Sequence, residues 1–316
     1  MQSVAGWRGR APVALGVVAG ASVVVQSRVN GALQLRTHSG VAAALANFLV
    51  GLILVTIAVA VLPKSRSAAR ALPGRVRSKE LRWWQLLGGL SGATFIAVQS
   101  VSVPALGVAL FIVAVVAGQS GSSLLVDRAG LGPGGSRPIS TSRLVAAGMS
   151  VVAVALAVSG RVGSMHAVVS YVLLAIVAGM LTSVQQAFNG RIASGGGSSP
   201  NVAALVNFVS GFLGLLAVTA IGMLVFGQNL SWPSPMSHPA LYLGGPLGLF
   251  FIASGALVVR RVGVLLFVLS AVAGQLAGSL ILDLTFPTPG TLVTWQVVTG
   301  VLLTGVAVAV AALRNN

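Results

Sequence analysis

The polar residues of this chain occur twice, in the same order. Gln26, Asn30 and Gly31 recur as Gln185, Asn189 and Gly190, about 159 positions further on. Asn47, Phe48 and Gly51 recur as Asn207, Phe208 and Gly211, and Gly118, Gln119, Ser123 and Asp127 recur as Gly274, Gln275, Ser279 and Asp283. Apolar residues coincide by chance in a chain that is 56% hydrophobic, but the acids do not, because Asp and Glu together number 3. The chain reads as a tandem duplication, residues 1–162 and 163–316, a plan common among membrane carriers.

Composition supplies the solvent. Charged residues make up only 7% and glycines number 40, which fits a polytopic membrane protein and excludes a soluble domain. The absence of cysteine excludes disulfides and thiolate metal sites. A formal net charge of +16 would suit nucleic acid if it formed a basic domain. Here the cations lie between apolar spans, so they set membrane orientation and imply no nucleic-acid partner.

Crossing about 30 Å of hydrocarbon takes roughly 20 apolar residues. Such stretches fall near 12–33, 40–62, 83–102, 105–126 and 143–160, then 168–190, 201–226, 239–259, 262–282 and 292–312. The expected fold is all-α and integral to the membrane, with ten transmembrane helices, five per half. Arg8 and Arg10 before an apolar run, with Ala19-Gly20-Ala21 after it, resemble a secretory signal. The matching stretch around Ala178 and Gly179 lies inside the chain, so the first span is expected to be kept.

With the amino terminus inside, all of the 19 cations except Arg28, Arg36 and Arg161 fall on the cytoplasmic side. Both termini are therefore expected in the cytoplasm. An odd number of spans per half makes the two repeats enter the bilayer from opposite sides, that is, inverted. The basic stretch Pro63 to Arg82 is expected to be the only sizeable loop, attractive to anionic lipid at about 1 kcal/mol per cation. Trp83 and Trp84 after it suit interfacial anchoring, and Pro246 is expected to kink the eighth span.

The informative residues are amides where lipid cannot hydrate them. Gln26 and Asn30 stand one turn apart, as do Gln185 and Asn189, and Gln119, Ser123 and Asp127 follow at i, i+4 and i+8 like Gln275, Ser279 and Asp283. An unpaired amide in hydrocarbon costs several kcal/mol, so these stripes must face protein or water. On the expected topology Gln26, Asn30, Asn47, Gln275 and Asp283 lie toward the outside. Gln185, Asn189, Asn207, Gln119 and Asp127 lie toward the inside. A pseudo-two-fold axis in the membrane plane exchanges the groups, giving a polar vestibule at each mouth of a central cavity. The same amides also suit interhelical hydrogen bonding, worth about 0.6 kcal/mol on average.

Gly16/Gly20, Gly88/Gly92, Gly244/Gly248 and Gly274/Gly278 are small-residue pairs that pack helices closely, within one chain or across a homodimer. Asp127 and Asp283 suit either proton coupling or a structural role at helix ends. His38, His166 and His238 have no metal-ligand spacing. No G-x-S-x-G elbow or phosphate-binding G-x-x-x-x-G-K-[ST] loop is present, and Gly195-Gly196-Gly197-Ser198-Ser199 reads as a flexible connector. Neither an enzyme nor a cofactor is expected.

Inverted five-helix halves that each carry these amide motifs resemble the YdcZ-type family of bacterial inner-membrane proteins, within the drug/metabolite transporter superfamily. The resemblance spans nearly the whole chain and implies a ten-helix fold around a cavity open to one face at a time, moving small organic molecules, often outward. The superfamily's small multidrug exporters carry a membrane glutamate in their first helix, and neither the first nor the sixth span here has an acid. Asp127 and Asp283 are then the only candidates for proton coupling.

The expected function is secondary transport of a small neutral or weakly polar solute, with Gln26, Asn47, Gln185 and Asn207 contacting it and Asn30, Gln119, Asn189 and Gln275 lining or latching the mouths. A lipid-handling or structural membrane protein is the alternative.

Overall fold

The computed structural model describes residues 2–136, 138–160, 165–194, 198–227, 232–287 and 293–313. The expected repeat boundary at 162/163, the connector glycines 195–197, and Arg137, Arg161 and Arg314 lie outside the described residues. All regular structure among the described residues is helical. In chain order the helices are α1 (Gln2–Thr37), α2 (Gly40–Val61), α3 (Pro63–Arg77), α4 (Gly88–Leu106), α5 (Val108–Arg128), α6 (Thr141–Ser159), α7 (Met165–Ala193), α8 (Pro200–Phe226), α9 (Gly244–Thr285) and α10 (Trp295–Leu313). Short 3-10 turns at Trp83–Leu87 and Pro239–Tyr242 lead into α4 and α9. The described residues hold 8 helical segments long and apolar enough to cross a membrane, and Gly244–Gly255 and Trp295–Ala311 are shorter apolar segments.

Matched signals start the second span of each half. The Ser39 hydroxyl accepts from the Ala42 amide at the head of α2, and the Ser199 hydroxyl accepts from the Asn201 amide at the head of α8. Each cap satisfies a backbone donor that the helix leaves free. Asn47 and Asn207 follow their caps at the same distance along the chain, so the caps fix both the depth and the rotation of the two amides.

The expected eighth and ninth spans share the stretch α9. On a straight helix Phe251 and Phe267 would stand about 24 Å apart, yet their ring centroids lie 5.7 Å apart. The first arm of α9 runs antiparallel to α1, with Gly244 against Asn30 and Gly248 against Gln26. The second arm runs parallel to it, with Ser270 against Gly16 and Gly278 against Ala21 and Val24. The chain therefore reverses between Gly255 and Phe267. Pro246 does not kink a span. It sits in the first turn of α9, where a missing backbone donor costs nothing.

A second departure concerns the basic stretch, which is mostly helix and not a loop. Pro63 opens α3 at a position that suits proline. Ala69, Leu72 and Val76 form a partly buried strip against the core while Lys64, Arg66, Arg70 and Arg77 stay exposed. Cation density hides that strip when the sequence is read for hydropathy alone.

Core packing centres on α5, whose residues Val108 through Gly118 are all buried. Helix α1 packs along α9, α5 along α7, and α6 along α10. The α1/α9 and α5/α7 crossings use matched glycines. A Cβ on Gly20 would strike the Ala271 carbonyl and one on Gly274 the Val17 carbonyl, while Gly179 and Gly118 meet the carbonyls of Val115 and Ile176 in the same way. Only glycine lets these backbones approach so closely. The small-residue pairs expected from sequence are thus occupied within the chain. Between α2 and α8, Phe48 and Phe208 pack edge to face with centroids 5.3 Å apart, Phe48 against Gly211 and Phe208 against Gly51.

Candidate functional site

The repeated amides gather in two clusters. In the first, the Asn47 amide nitrogen donates to Asn30 Oδ1 at 3.0 Å, and Asn30 Nδ2 donates to Gln99 Oε1 at 2.7 Å. Gln99 Nε2 donates to Ser27 Oγ at 2.7 Å, and that hydroxyl donates to the Val23 carbonyl at 2.8 Å. Beside this relay, Gln26 Nε2 donates to the Gly244 carbonyl at 2.9 Å. None of the five side chains is more than 5% exposed. A buried relay in which each member is bonded holds helices firmly, because opening it strands several polar groups at once.

The second cluster repeats the residues without the seal. Asn207 Nδ2 donates to Asn189 Oδ1 at a longer 3.3 Å. Asn207 is buried, but Gln185 and Asn189 are only half-buried. The position that matches Gln99 by the repeat is Gly255, so no second glutamine completes this relay.

Each cluster is covered by a glycine face from the opposite half. A Cβ on Gly244 would run into Asn30 and Asn47, and one on Gly248 would approach Gln26 Nε2 to 2.7 Å. In the other cluster, Gly92 lies against Gln185 Nε2 and Gly89 against the Asn207 carbonyl and Ser210. The glycines that cover the amides are themselves repeated, Gly88-Gly89-x-x-Gly92 and Gly244-Gly245-x-x-Gly248.

Comparison with known proteins gives the family. The family model described as "Putative inner membrane exporter, YdcZ" matches residues 11–156 and 170–310. The chain belongs to the YdcZ family. A solved structure described as "Crystal structure of protein" is 18% identical, aligns over 96% of this chain and 95% of its own, and has a TM-score of 0.56. At that identity it bears on the fold alone. No curated protein matches. Family membership and apolar helices together make the molecule a multi-pass inner-membrane protein of the transporter kind.

The remaining predicted residues of this YdcZ-family chain lie outside the clusters. Gln119 and Gln275 are half-buried beside the crossing glycines Gly118 and Gly274, and among the described residues neither side chain hydrogen-bonds to the amide clusters. The backbone carbonyl of Gln119 accepts from Ser183 Oγ at 3.2 Å across the α5/α7 crossing.

Asp127 and Asp283 occupy different surroundings despite their matching places in the sequence pattern. Asp127 pairs with Arg143 of α6 at 2.7 Å and not with its neighbour Arg128. Asp283 is buried and accepts from the Ala109 amide at 2.7 Å, at the amino terminus of α5. There its carboxyl oxygen meets the free backbone donors at the start of the helix.

Gln99 was missed from sequence because it has no repeated partner. Its isolation as an amide in the middle of the third span was the available signal.

Proposed function

We propose that this YdcZ-family protein is a secondary transporter built from two inverted five-span repeats, and that it moves a small neutral or weakly polar organic solute by alternating access. The carrying observation is the reciprocal docking. The glycine face of each half covers the amides of the other, and one of the two equivalent clusters is sealed while its counterpart is looser.

With both termini in the cytoplasm, the sealed cluster closes the outer mouth and the looser cluster borders the inner one. Exchange of the two packings would reverse access. Gln26, Asn47, Gln185 and Asn207 supply donors and acceptors to the solute when their mouth opens, and Asn30 and Asn189 latch it when closed. Gln119 and Gln275 line the passage beside the crossing glycines. Asp127 and Asp283 tie helices together and carry no proton.

A screen of neutral metabolites for raised melting temperature in detergent supplies the test solute, since a ligand of the folded state stabilises it. Asn47→Ala with Asn207→Ala should then lower flux in proteoliposomes by about tenfold or more, with folded yield retained. Unchanged flux per folded molecule would sink the reading. Single cysteines at Arg36 and Ser194 should label from opposite sides of the membrane, and labelling from one side would overturn the inverted repeats.

A further inference from the structure

At the end of the molecule that carries most of the described cations, a cavity of about 330 Å³ is lined by Lys79, Glu80, Arg82, Trp84, Gln85, Arg191 and the turn Ala129 to Leu131. Three cations face one acid, and that acid is already engaged, because Glu80 accepts from Arg75 at 2.8 Å. The cavity therefore presents an excess of positive charge.

Its walls are fixed. Arg75, in the last turn of α3, is buried and also donates to the Ile192 carbonyl at 2.9 Å, clamping the end of α3 to the carboxyl end of α7. Arg191 donates to the carbonyls of Leu131 at 2.8 Å and Gly130 at 2.6 Å, which holds the turn after α5 as the opposite wall. The Trp84 ring packs edge to face on Phe188 at 5.1 Å. Trp83, next to it, is 68% exposed, as suits a ring at the membrane interface.

Lys79 adds an independent observation. Its φ of 63° lies in the left-handed region, which a lysine occupies at a steric cost and a glycine would not. The turn that ends α3 thus holds a cation where backbone preference calls for glycine. Strain of this kind persists where a side chain is needed for another purpose.

We propose that this cavity binds the phosphate of an acidic phospholipid headgroup, with Lys79 and Arg82 as its charged contacts. The tryptophan-marked interface places the cavity at headgroup depth, and phosphate is the anion that clustered Lys and Arg recognise best there. The exposed face of α3 attracts anionic lipid diffusely, whereas this cavity is a defined seat.

The test titrates the purified full chain in detergent with short-chain phosphatidylglycerol or phosphatidylcholine, reading melting temperature and lipid retained in native mass spectrometry. Phosphatidylglycerol should stabilise the protein more than phosphatidylcholine. Lys79→Gln with Arg82→Gln should weaken that response by about tenfold or more, on the scale expected for two interfacial cations. Arg66→Gln with Arg70→Gln removes the same charge from the exposed face of α3, where lipid is attracted only diffusely and salt screens it, and should weaken the response clearly less than the cavity variant does.

Lys79→Gly separates binding from folding. It should raise the melting temperature without lipid, by relieving the left-handed lysine, and lower the response to phosphatidylglycerol. Equal loss in the α3 variant, a full lipid response in Lys79→Gly, or equal stabilisation by glycerol phosphate or inorganic phosphate would each overturn the headgroup assignment.

Discussion

The cluster around Asn30 and the cluster around Asn189 are built from the same repeated residues and end in different states. The first is a sealed relay that draws in Gln99 and Ser27; the second has one longer amide bond and two half-buried members. The difference shows that matching sequence motifs do not dictate matching packing. Sequence repetition sets which residues can meet, and a single unrepeated side chain, Gln99 opposite Gly255, favours one meeting over the other.

Substitution at the two equivalent asparagines gives the strongest test of that contrast. Asn30→Ala strands the Asn47 amide and the Gln99 carbonyl, each at about 1–3 kcal/mol, so it should cost about 2–6 kcal/mol in all. Asn189→Ala removes one long bond and should cost about 1 kcal/mol or less. Thermal or denaturant unfolding in detergent measures both, and equal costs would break the comparison.

Access is the next measure. The chain has no cysteine, so introduced thiols need no background removal. Gln185→Cys should react with a water-soluble thiol reagent about tenfold faster than Gln26→Cys, the ratio for a bias of about 1.4 kcal/mol between open and sealed mouths. Adding Gln99→Ala should narrow that ratio, and an unchanged ratio would remove Gln99 from the latch.

The repeat-related acids give smaller effects. Asp283→Ala removes a buried helix cap and should cost about 1–2 kcal/mol of stability. Asp127→Ala removes a half-exposed ion pair and should cost within about 1 kcal/mol. Neither should change the pH dependence of flux per folded molecule, and a shift with Asp283→Ala would restore a proton-carrying role to that residue.

Much of this organisation is legible in the sequence, because amides in hydrocarbon have few tolerable places. That the stripes bearing Asn30 and Asn189 turn away from lipid follows from the cost of an unpaired amide, but their pairing with Asn47 and Asn207 does not. What the sequence hides is partnership between halves. The period of Gly88-Gly89-x-x-Gly92 shows a close-packing face but not that the face covers Gln185 and Asn207 from the other repeat. The strip Ala69, Leu72 and Val76 on α3 is masked by the cations around it, whereas the reversal within α9 falls where the sequence ends the span 239–259 and begins the span 262–282. Which cluster is sealed is invisible in the repeated amides themselves and turns on Gln99, whose matching position is Gly255.

The Phe48–Phe208 stack carries a consequence for motion. Each ring leans on the glycine of the other helix, so the pair is its own image when the halves are interchanged. Under the proposed exchange of packings, a contact with that property would need no remaking. It would then serve as the fulcrum on which the halves tilt, while the amide clusters on either side alternately engage and part.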